Sequence, residues 1–212
     1  MTADTIDLDE LERDALTELV NIGVSRAAAS LRKMVNKEVL LSVPSVEIVT
    51  RKSAASLIGQ RESESLIAVQ QQFEGPFSGR ALLIFPQSNG LSLVRAIIGD
   101  DMEDADLVEM EDEALAETGN VILNGCLGSM ANMLQHSLKM SLPDVCRGDS
   151  ALLFEAYDSG AEGSFVLFLY INFSVRERDI RGYIAMIMDL PSMEKLKQLI
   201  ADFIDRVLTE TK

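Results

Sequence analysis

Four residue positions recur at one spacing in two places, and this limits the architecture more than any other feature of the chain. Asp14, Glu18, Asn21 and Pro44 are separated by four, three and 23 positions. Glu113, Glu117, Asn120 and Pro143 repeat those separations, each member displaced by 99 (120 − 21). Each set puts a carboxylate and an amide one helical turn apart, just before an extended run. A period this long is not a solenoid unit and marks a single duplication. The chain is therefore expected to hold two copies of one helix-and-strand unit, with a duplicated surface.

The local patterns agree. Leu8 to Val35 reads as a long helix, with Leu11, Ala15, Leu19, Ile22 and Leu31 at helical spacing and acids in its early turns. Gly23 and Ser25 mark a bend in it. Glu38 to Thr50 is extended, and Pro44 in its middle predicts an edge strand or two short strands with a break. Ala54 to Gly59 holds one helical turn. Glu64 to Phe73 and Ser78 to Phe85 read as a hairpin around Glu74-Gly75-Pro76, and Ser88 is the expected cap of a helix through Ile98.

The second copy opens at the acidic stretch from Gly99 to Glu113, the entry to a helix from about Glu109 to His136 with glycines at 125 and 128. Lys139 to Pro143 mirrors Leu40 to Pro44. Leu152 to Tyr157, Ser164 to Phe173 and Ile180 to Asp189 follow as strands, and Pro191-Ser192 starts an amphipathic terminal helix. The expected fold class is α/β of the α+β type. One domain over 1–212 contains two repeats, about 8–99 and 107–212, that share one continuous sheet flanked by long helices.

Composition removes several function classes. A net charge of −15, from 34 acidic and 19 basic residues, argues against nucleic acid and anionic membrane as partners. It is compatible with a protein partner that presents a lysine to an acidic face. The longest apolar stretch, Phe165 to Ile171, is too short to cross a bilayer. No basic segment opens the chain, so a secretory signal is not expected and the cytoplasm is the expected location. Two cysteines, Cys126 and Cys146, make neither a disulfide framework nor a CxxC metal motif. Cys126 is expected to pack inside its helix, and Cys146 beside Arg147 to be the more reactive thiol. His136 reads as a helix C-terminal residue, the methionines as core filler, and the acidic run from Asp100 to Glu113 as a solvated face.

Asp14, Glu18 and Asn21 share one face of the first helix, leaving Leu16, Leu19 and Ile22 to dock on the sheet. A single Glu–Asn pair is what any solvated helix shows, and two at one spacing also follow from shared ancestry. The chemistry open to the pair is specific nonetheless. A carboxamide can donate and accept at once and so orient a water molecule. A carboxylate beside it can hold a lysine by a charge-assisted bond. Such a pair suits an enzyme that inserts its helix into the active site of another protein, where catalysis is chiefly positioning.

The pattern Asp/Ser-x3-Glu-x2-Asn-x22-Pro resembles the signature of the CheC/CheX/FliY phosphatases, which dephosphorylate the response regulator CheY. "ELVNIG" after Asp14 and "AETGNVILN" after Glu113 look like the two copies found in CheC, over nearly the whole chain. The resemblance implies a pseudo-two-fold tandem repeat building one antiparallel sheet flanked by helices. It implies that Glu18 and Glu117 contact the receiver's lysine, and that Asn21 and Asn120 aim water at the aspartyl phosphate. Pro44 and Pro143 are then structural markers of the strand behind each helix. It implies no cofactor of the chain's own, since Mg2+ is carried by the receiver, and it adds a CheD-type deamidase as a possible further partner. Glu113 stands where the pattern has Asp or Ser, a departure confined to the second copy. The alternatives are a non-catalytic module that binds a receiver or flagellar switch component, since FliM-type relatives share this fold without the pairs, and a CheD-binding adaptor.

Overall fold

The computed structural model describes residues 6, 8–35, 38–98, 104–155, 164–175 and 178–210. Helix α1 (Glu10–Val35) is followed by β1 (Val39–Thr50), α2 (Arg51–Arg61), the hairpin β2 (Leu66–Glu74) and β3 (Gly79–Pro86), and α3 (Gln87–Ile98). The second copy runs α4 (Asp104–Met133), β4 (Lys139–Met140), β5 (Asp144–Gly148), α5 (Ser150–Glu155), the hairpin β6 (Phe165–Val175) and β7 (Arg178–Met188), and α6 (Leu190–Glu210).

All seven strands join one antiparallel sheet, as expected, in the order β1-β6-β7-β3-β2-β4, with β5 also on β2. The order is palindromic. Each repeat keeps its own hairpin and lends its leading strand to the hairpin of the other, β1 to β6 and β4–β5 to β2. The third strands of the two copies, β3 and β7, meet at the centre. There two glycines admit the close approach of β3 and β7: a Cβ on Gly79 would stand 2.2 Å from the Ile187 carbonyl oxygen, and one on Gly182 2.8 Å from that of Ile84. Only glycine permits that approach at either place.

Both prolines behave as strand interrupters. β1 is an edge strand whose register shifts between Ser42 and Ser45, around Pro44. Pro143 falls between β4 and β5, where the Ser141 hydroxyl accepts from the Gln72 N–H at 2.9 Å and the Ser141 N–H donates to the Gln72 carbonyl at 2.9 Å. Lys139 to Pro143 thus supplies only a two-residue strand, and the partner of β2 resumes as β5, which the sequence reading did not foresee.

Two cores lie on opposite faces of the sheet. The larger packs α1, α3, α4 and α6 over alternate strand residues such as Ile67, Val69, Phe73, Leu167, Leu169, Ile171 and Phe173. The smaller covers Leu66, Ala68, Leu82, Phe168 and Tyr183 with Ala54 and Ile58 of α2 and Leu153 and Phe154 of α5. Arg80, buried in β3, donates to the Leu153 carbonyl at 2.8 Å and to Gln70 Oε1 at 2.9 Å, which ties α5 down.

Several boundaries moved, each for a local reason. Leu152 to Tyr157 is not a strand: Asp149 Oδ1 accepts from the Leu152 N–H at 2.8 Å and starts α5, while 156–157 lie outside the described residues. The single turn expected at Ala54 to Gly59 is an 11-residue helix begun by Thr50, whose Oγ1 accepts from the Ser53 N–H at 3.2 Å. Ser88 does not cap α3. The helix begins at Gln87, and the Glu64 carboxylate bonds to the Ser88 N–H and hydroxyl at 3.1 and 2.7 Å. α4 starts five residues earlier than expected, inside the acidic stretch, and ends at Met133 before His136.

Candidate functional site

Asp9 begins α1 with a reciprocal capping pair: its Oδ1 accepts from the Glu12 N–H at 2.8 Å, and Glu12 Oε2 accepts from the Asp9 N–H at 3.0 Å. Glu12 is nearly buried and also meets Lys197 Nζ of α6 at 3.3 Å. From there Leu16, Leu19, Val20, Val24, Ala27 and Leu31 turn inward. Leu11, expected on that buried stripe, is 53% exposed instead, because the stripe runs through Leu8, Glu12 and Leu16 one position further round. Asp14 and Glu18 are exposed and Asn21 is half-buried below them.

The second copy reproduces this arrangement. Leu115, Ile122, Leu123, Cys126, Leu127 and Met130 of α4 are buried, Glu113 and Glu117 are exposed, and Asn120 is half-buried. In both helices an exposed carboxylate stands one turn ahead of a recessed amide, the spacing at which both reach the same outside group. Among the described residues none bonds to the carboxylates of Asp14, Glu18, Glu113 or Glu117. The principal hollows of the described surface are lined by other residues, among them Arg32 and Lys33 at the end of α1 and Arg61 and Arg181 beside Tyr170. The carboxylates and amides of the motif stand on the outward side of α1 and α4, and none of them lines these hollows.

The two helices are locked together just past the amides. A Cβ on Gly23 would lie 2.7 Å from the Cys126 carbonyl oxygen, and one on Gly125 2.9 Å from Ala27 Cα. α1 runs unbroken through Gly23 and Ser25, so the glycine expected to bend the helix serves a close crossing instead. Burial pushes the Cys126 thiol up to about 12, which makes it a packing residue. Burial also raises Cys146, and outweighs the lowering by Arg80 and Arg147. The heightened reactivity expected from the Arg147 neighbour is not found. Arg147 is occupied elsewhere, paired with Glu111 at 3.0 Å and with Asp112.

The amides differ in their surroundings. Asn120 Oδ1 accepts from Gln71 Nε2 of β2 at 3.0 Å and from Asn124 Nδ2 at 2.6 Å. Gln71 Nε2 also donates to the Ser141 carbonyl at 2.8 Å. Asn21 has no such set among the described residues. Sequence reasoning did not find Gln71, Asn124 or Ser141. The available signals were three consecutive glutamines inside an apolar strand and an Asn four places after Asn120.

Among the described residues no group of three His, Cys, Asp or Glu side chains is arranged to hold a metal ion. No described helix is long and apolar enough to cross a membrane.

Known proteins match this chain in both halves. Residues 67–169 match the family model for "Chemotaxis phosphatase CheX", and residues 11–48 match the "CheC-like family". The first span contains Glu113, Glu117, Asn120 and Pro143, and the second contains Asp14, Glu18, Asn21 and Pro44. The chain is 31% identical to the flagellar motor switch phosphatase FliY of Bacillus subtilis over 141 residues, 66% of this chain and 36% of that protein. It thus spans about a third of that relative's length. It is 24% identical to the CheY-P phosphatase CheC of the same organism, over 89% of this chain and 93% of the relative. In structure it resembles Thermotoga maritima FliY with a TM-score of 0.71 at 17% identity, over 94% of this chain and all of that one. The FliM middle domain of V. alginolyticus follows at 0.62 and 13%, over 87% and 99%. At these identities the structural likenesses speak for the fold.

Proposed function

The chain belongs to the family of CheC, CheX and FliY proteins, and from that premise we propose that it hydrolyses the aspartyl phosphate of a CheY-like receiver domain. One observation carries the reading. Each of two helices presents an exposed carboxylate with a recessed amide one turn behind it, at identical sequence spacing, and none of these residues lines the principal hollows of the described surface. A surface of this kind suits a substrate that brings the cleft.

Glu18 or Glu117 meets the lysine of the receiver's pocket through a charge-assisted bond, which docks the helix and fixes its register. Asn21 or Asn120 then holds water in line with the phosphorus. The water oxygen forms the new P–O bond as the bond to the aspartyl oxygen breaks. The aspartate leaves as carboxylate, and both protons of the water end on inorganic phosphate. Any Mg2+ is the receiver's, and supplies charge neutralisation at the phosphoryl oxygens. This chain contributes orientation, a term large enough to matter when the metal and the leaving group are already in place. A receiver substrate places the protein in the cytoplasm. Binding to a CheD-type deamidase rests on the resemblance alone, and co-purification with such a partner tests it.

The deciding experiment is a dephosphorylation time course of phosphorylated CheY-like receivers with and without the protein. Acceleration is expected, and Asn21→Ala combined with Asn120→Ala should abolish it. Undiminished activity in the double variant would sink the mechanism. Binding without acceleration by the parent protein would point to the non-catalytic module. Each single variant should retain part of the rate.

A further inference from the structure

We infer that Gln71 is a positioning residue for Asn120, and that it makes the two candidate sites chemically unequal by turning the Asn120 carboxamide so that only its NH2 group is left for an outside partner. The inference rests on the reading of Asn120 as a working amide.

The orientation follows from a chain of forced choices. The Ser141 carbonyl can only accept, so the end of Gln71 that faces it at 2.8 Å is the NH2 group. That same nitrogen lies 3.0 Å from Asn120, so the atom of Asn120 that faces it is the oxygen. Asn124, one turn further along α4, donates to that oxygen at 2.6 Å. An amide oxygen has two lone pairs, and here both are taken. Asn120 is left with its Nδ2 hydrogens. It can donate to a phosphoryl oxygen or to the oxygen of a water, and it cannot accept from that water. Asn21, with no partner among the described residues, keeps both capacities.

A buried glutamine is ordinarily a polar side chain whose bonds are satisfied by the core around it. Gln71 departs from that on two counts. It is 1% exposed, and its own Oε1 is buried with no hydrogen-bond partner among the described residues. An unmet buried acceptor is a cost, and the first site avoids it. Gln71 lies between Val69 and Phe73 on the main-core face of β2, and the matching place in β6, between Leu169 and Phe173, is held by the buried Ile171. Apolar packing is thus sufficient for the fold at that position.

Two further differences fall at the same spot. A Cβ on Gly119, the residue beside Asn120, would lie 2.4 Å from Val69 Cγ1, so only glycine lets α4 settle this closely on β2. The corresponding residue of α1 is Val20, and the counterpart of Asn124 is Ser25. The close approach, the glutamine and the second asparagine occur together at one site and are all missing from the other.

The test places Gln71→Ile in two backgrounds of the full chain. With Asn21→Ala, only the second site remains, and kcat for dephosphorylating the receiver should fall about tenfold with KM unchanged, the scale on which a positioning partner acts. With Asn120→Ala, the same substitution should leave the rate as it was. Equal losses in both backgrounds mean a structural role and overturn the inference, as does a loss carried by KM. The isosteric Gln71→Glu, which lacks the NH2 donor, guards against failure to fold. It should lower second-site kcat in the same way, and a rise would overturn the assigned orientation. A second readout does not depend on activity. In 15N-labelled protein the Asn120 side-chain NH2 resonances should shift on Gln71→Ile while those of Asn21 stay in place. An unmoved Asn120 signal refutes the positioning whatever the rates. A parent chain without phosphatase activity refutes the functional reading instead, and the resonances then decide the positioning on their own.

Discussion

Gly23 and Gly128 lie on the two site-bearing helices and should respond with opposite signs to the same substitution. A Cβ on Gly23 would stand 2.7 Å from the Cys126 carbonyl oxygen and 3.1 Å from its Cα. Those are backbone atoms in the middle of α4, with no rotamer into which to retreat. Restoring an ordinary contact of about 3.5 Å requires the helices to part by roughly 0.8 Å. Overpacking of this kind costs about 1–3 kcal/mol, against a gain of about 1 kcal/mol for alanine over glycine inside a helix. Gly23→Ala should therefore lose up to about 2 kcal/mol net, a fall in Tm of as much as roughly 4–8 °C for a chain of this size. A Cβ on Gly128 would meet nothing within 4 Å. Gly128→Ala should keep the propensity gain and stabilise by up to about 1 kcal/mol. Urea unfolding followed by helical circular dichroism measures both, with equal m-values as the check that only stability has changed. If Gly23→Ala is stabilised as Gly128→Ala is, propensity is acting alone and the close crossing is refuted.

Removing the α1 cap with Asp9→Ala should cost about 1 kcal/mol in the same urea assay, since it takes away the acceptor for the Glu12 N–H. Gln135 sits at φ 62 just after α4, where the His136 N–H closes on the Ala131 carbonyl at 2.9 Å. Gln135→Gly should relieve the left-handed strain and stabilise by roughly 0.5–1 kcal/mol. Cys126 has its folded pKa raised from 9.0 to about 12 by burial, so the folded state holds its proton after the unfolded chain has released it. Its contribution to stability is whole below about pH 9 and is lost as pH rises toward about 12. Cys126→Ala should flatten the decline of stability across that alkaline window, and thiol trapping at pH 8 should leave native Cys126 unlabelled while the unfolded chain reacts.

The sequence revealed the duplication, the long helices, both hairpins and the proline-interrupted edges, because each rests on spacing within a few dozen residues. Pro44 is legible as an edge signal since it cannot donate to a ladder wherever it lies. Four kinds of feature were hidden. The starts of α5 and α3, held by the side chains of Asp149 and Glu64, depend on which side chain reaches which N–H, and apolar runs such as Ala151 to Phe154 look alike as strand or helix. Leu11 fitted the helical period yet faces outward, because a period fixes a stripe only to within one position. Gln71 belongs to the second site only through tertiary structure, being 49 residues away from Asn120. The strand exchange was also invisible, since pairing β1 with β6 instead of its own hairpin leaves no local trace.

That exchange explains why symmetry and asymmetry fall where they do. Each leading strand completes the other repeat's hairpin, so the sheet exists only if both copies keep matching geometry. The two exchanged strands accordingly keep matching registers, Ser45 opposite Tyr170 and Asp144 opposite Gln70. Buried drift between copies normally trades one apolar side chain for another of similar volume, as Val69 and Leu169 do. The replacements around Asn120 are of another kind. A glycine, a buried glutamine and a second asparagine stand where the first site has Val20, Ile171 and Ser25. Gln71 and Asn124 both bond to one oxygen atom, and Gly119 admits the approach that brings it within reach. Independent drift would scatter polar exchanges over the core and leave each to find its own partner. Exchanges gathered on one atom of one motif residue follow from a demand at that site, and the sheet, satisfied by isoleucine in the other copy, makes no such demand.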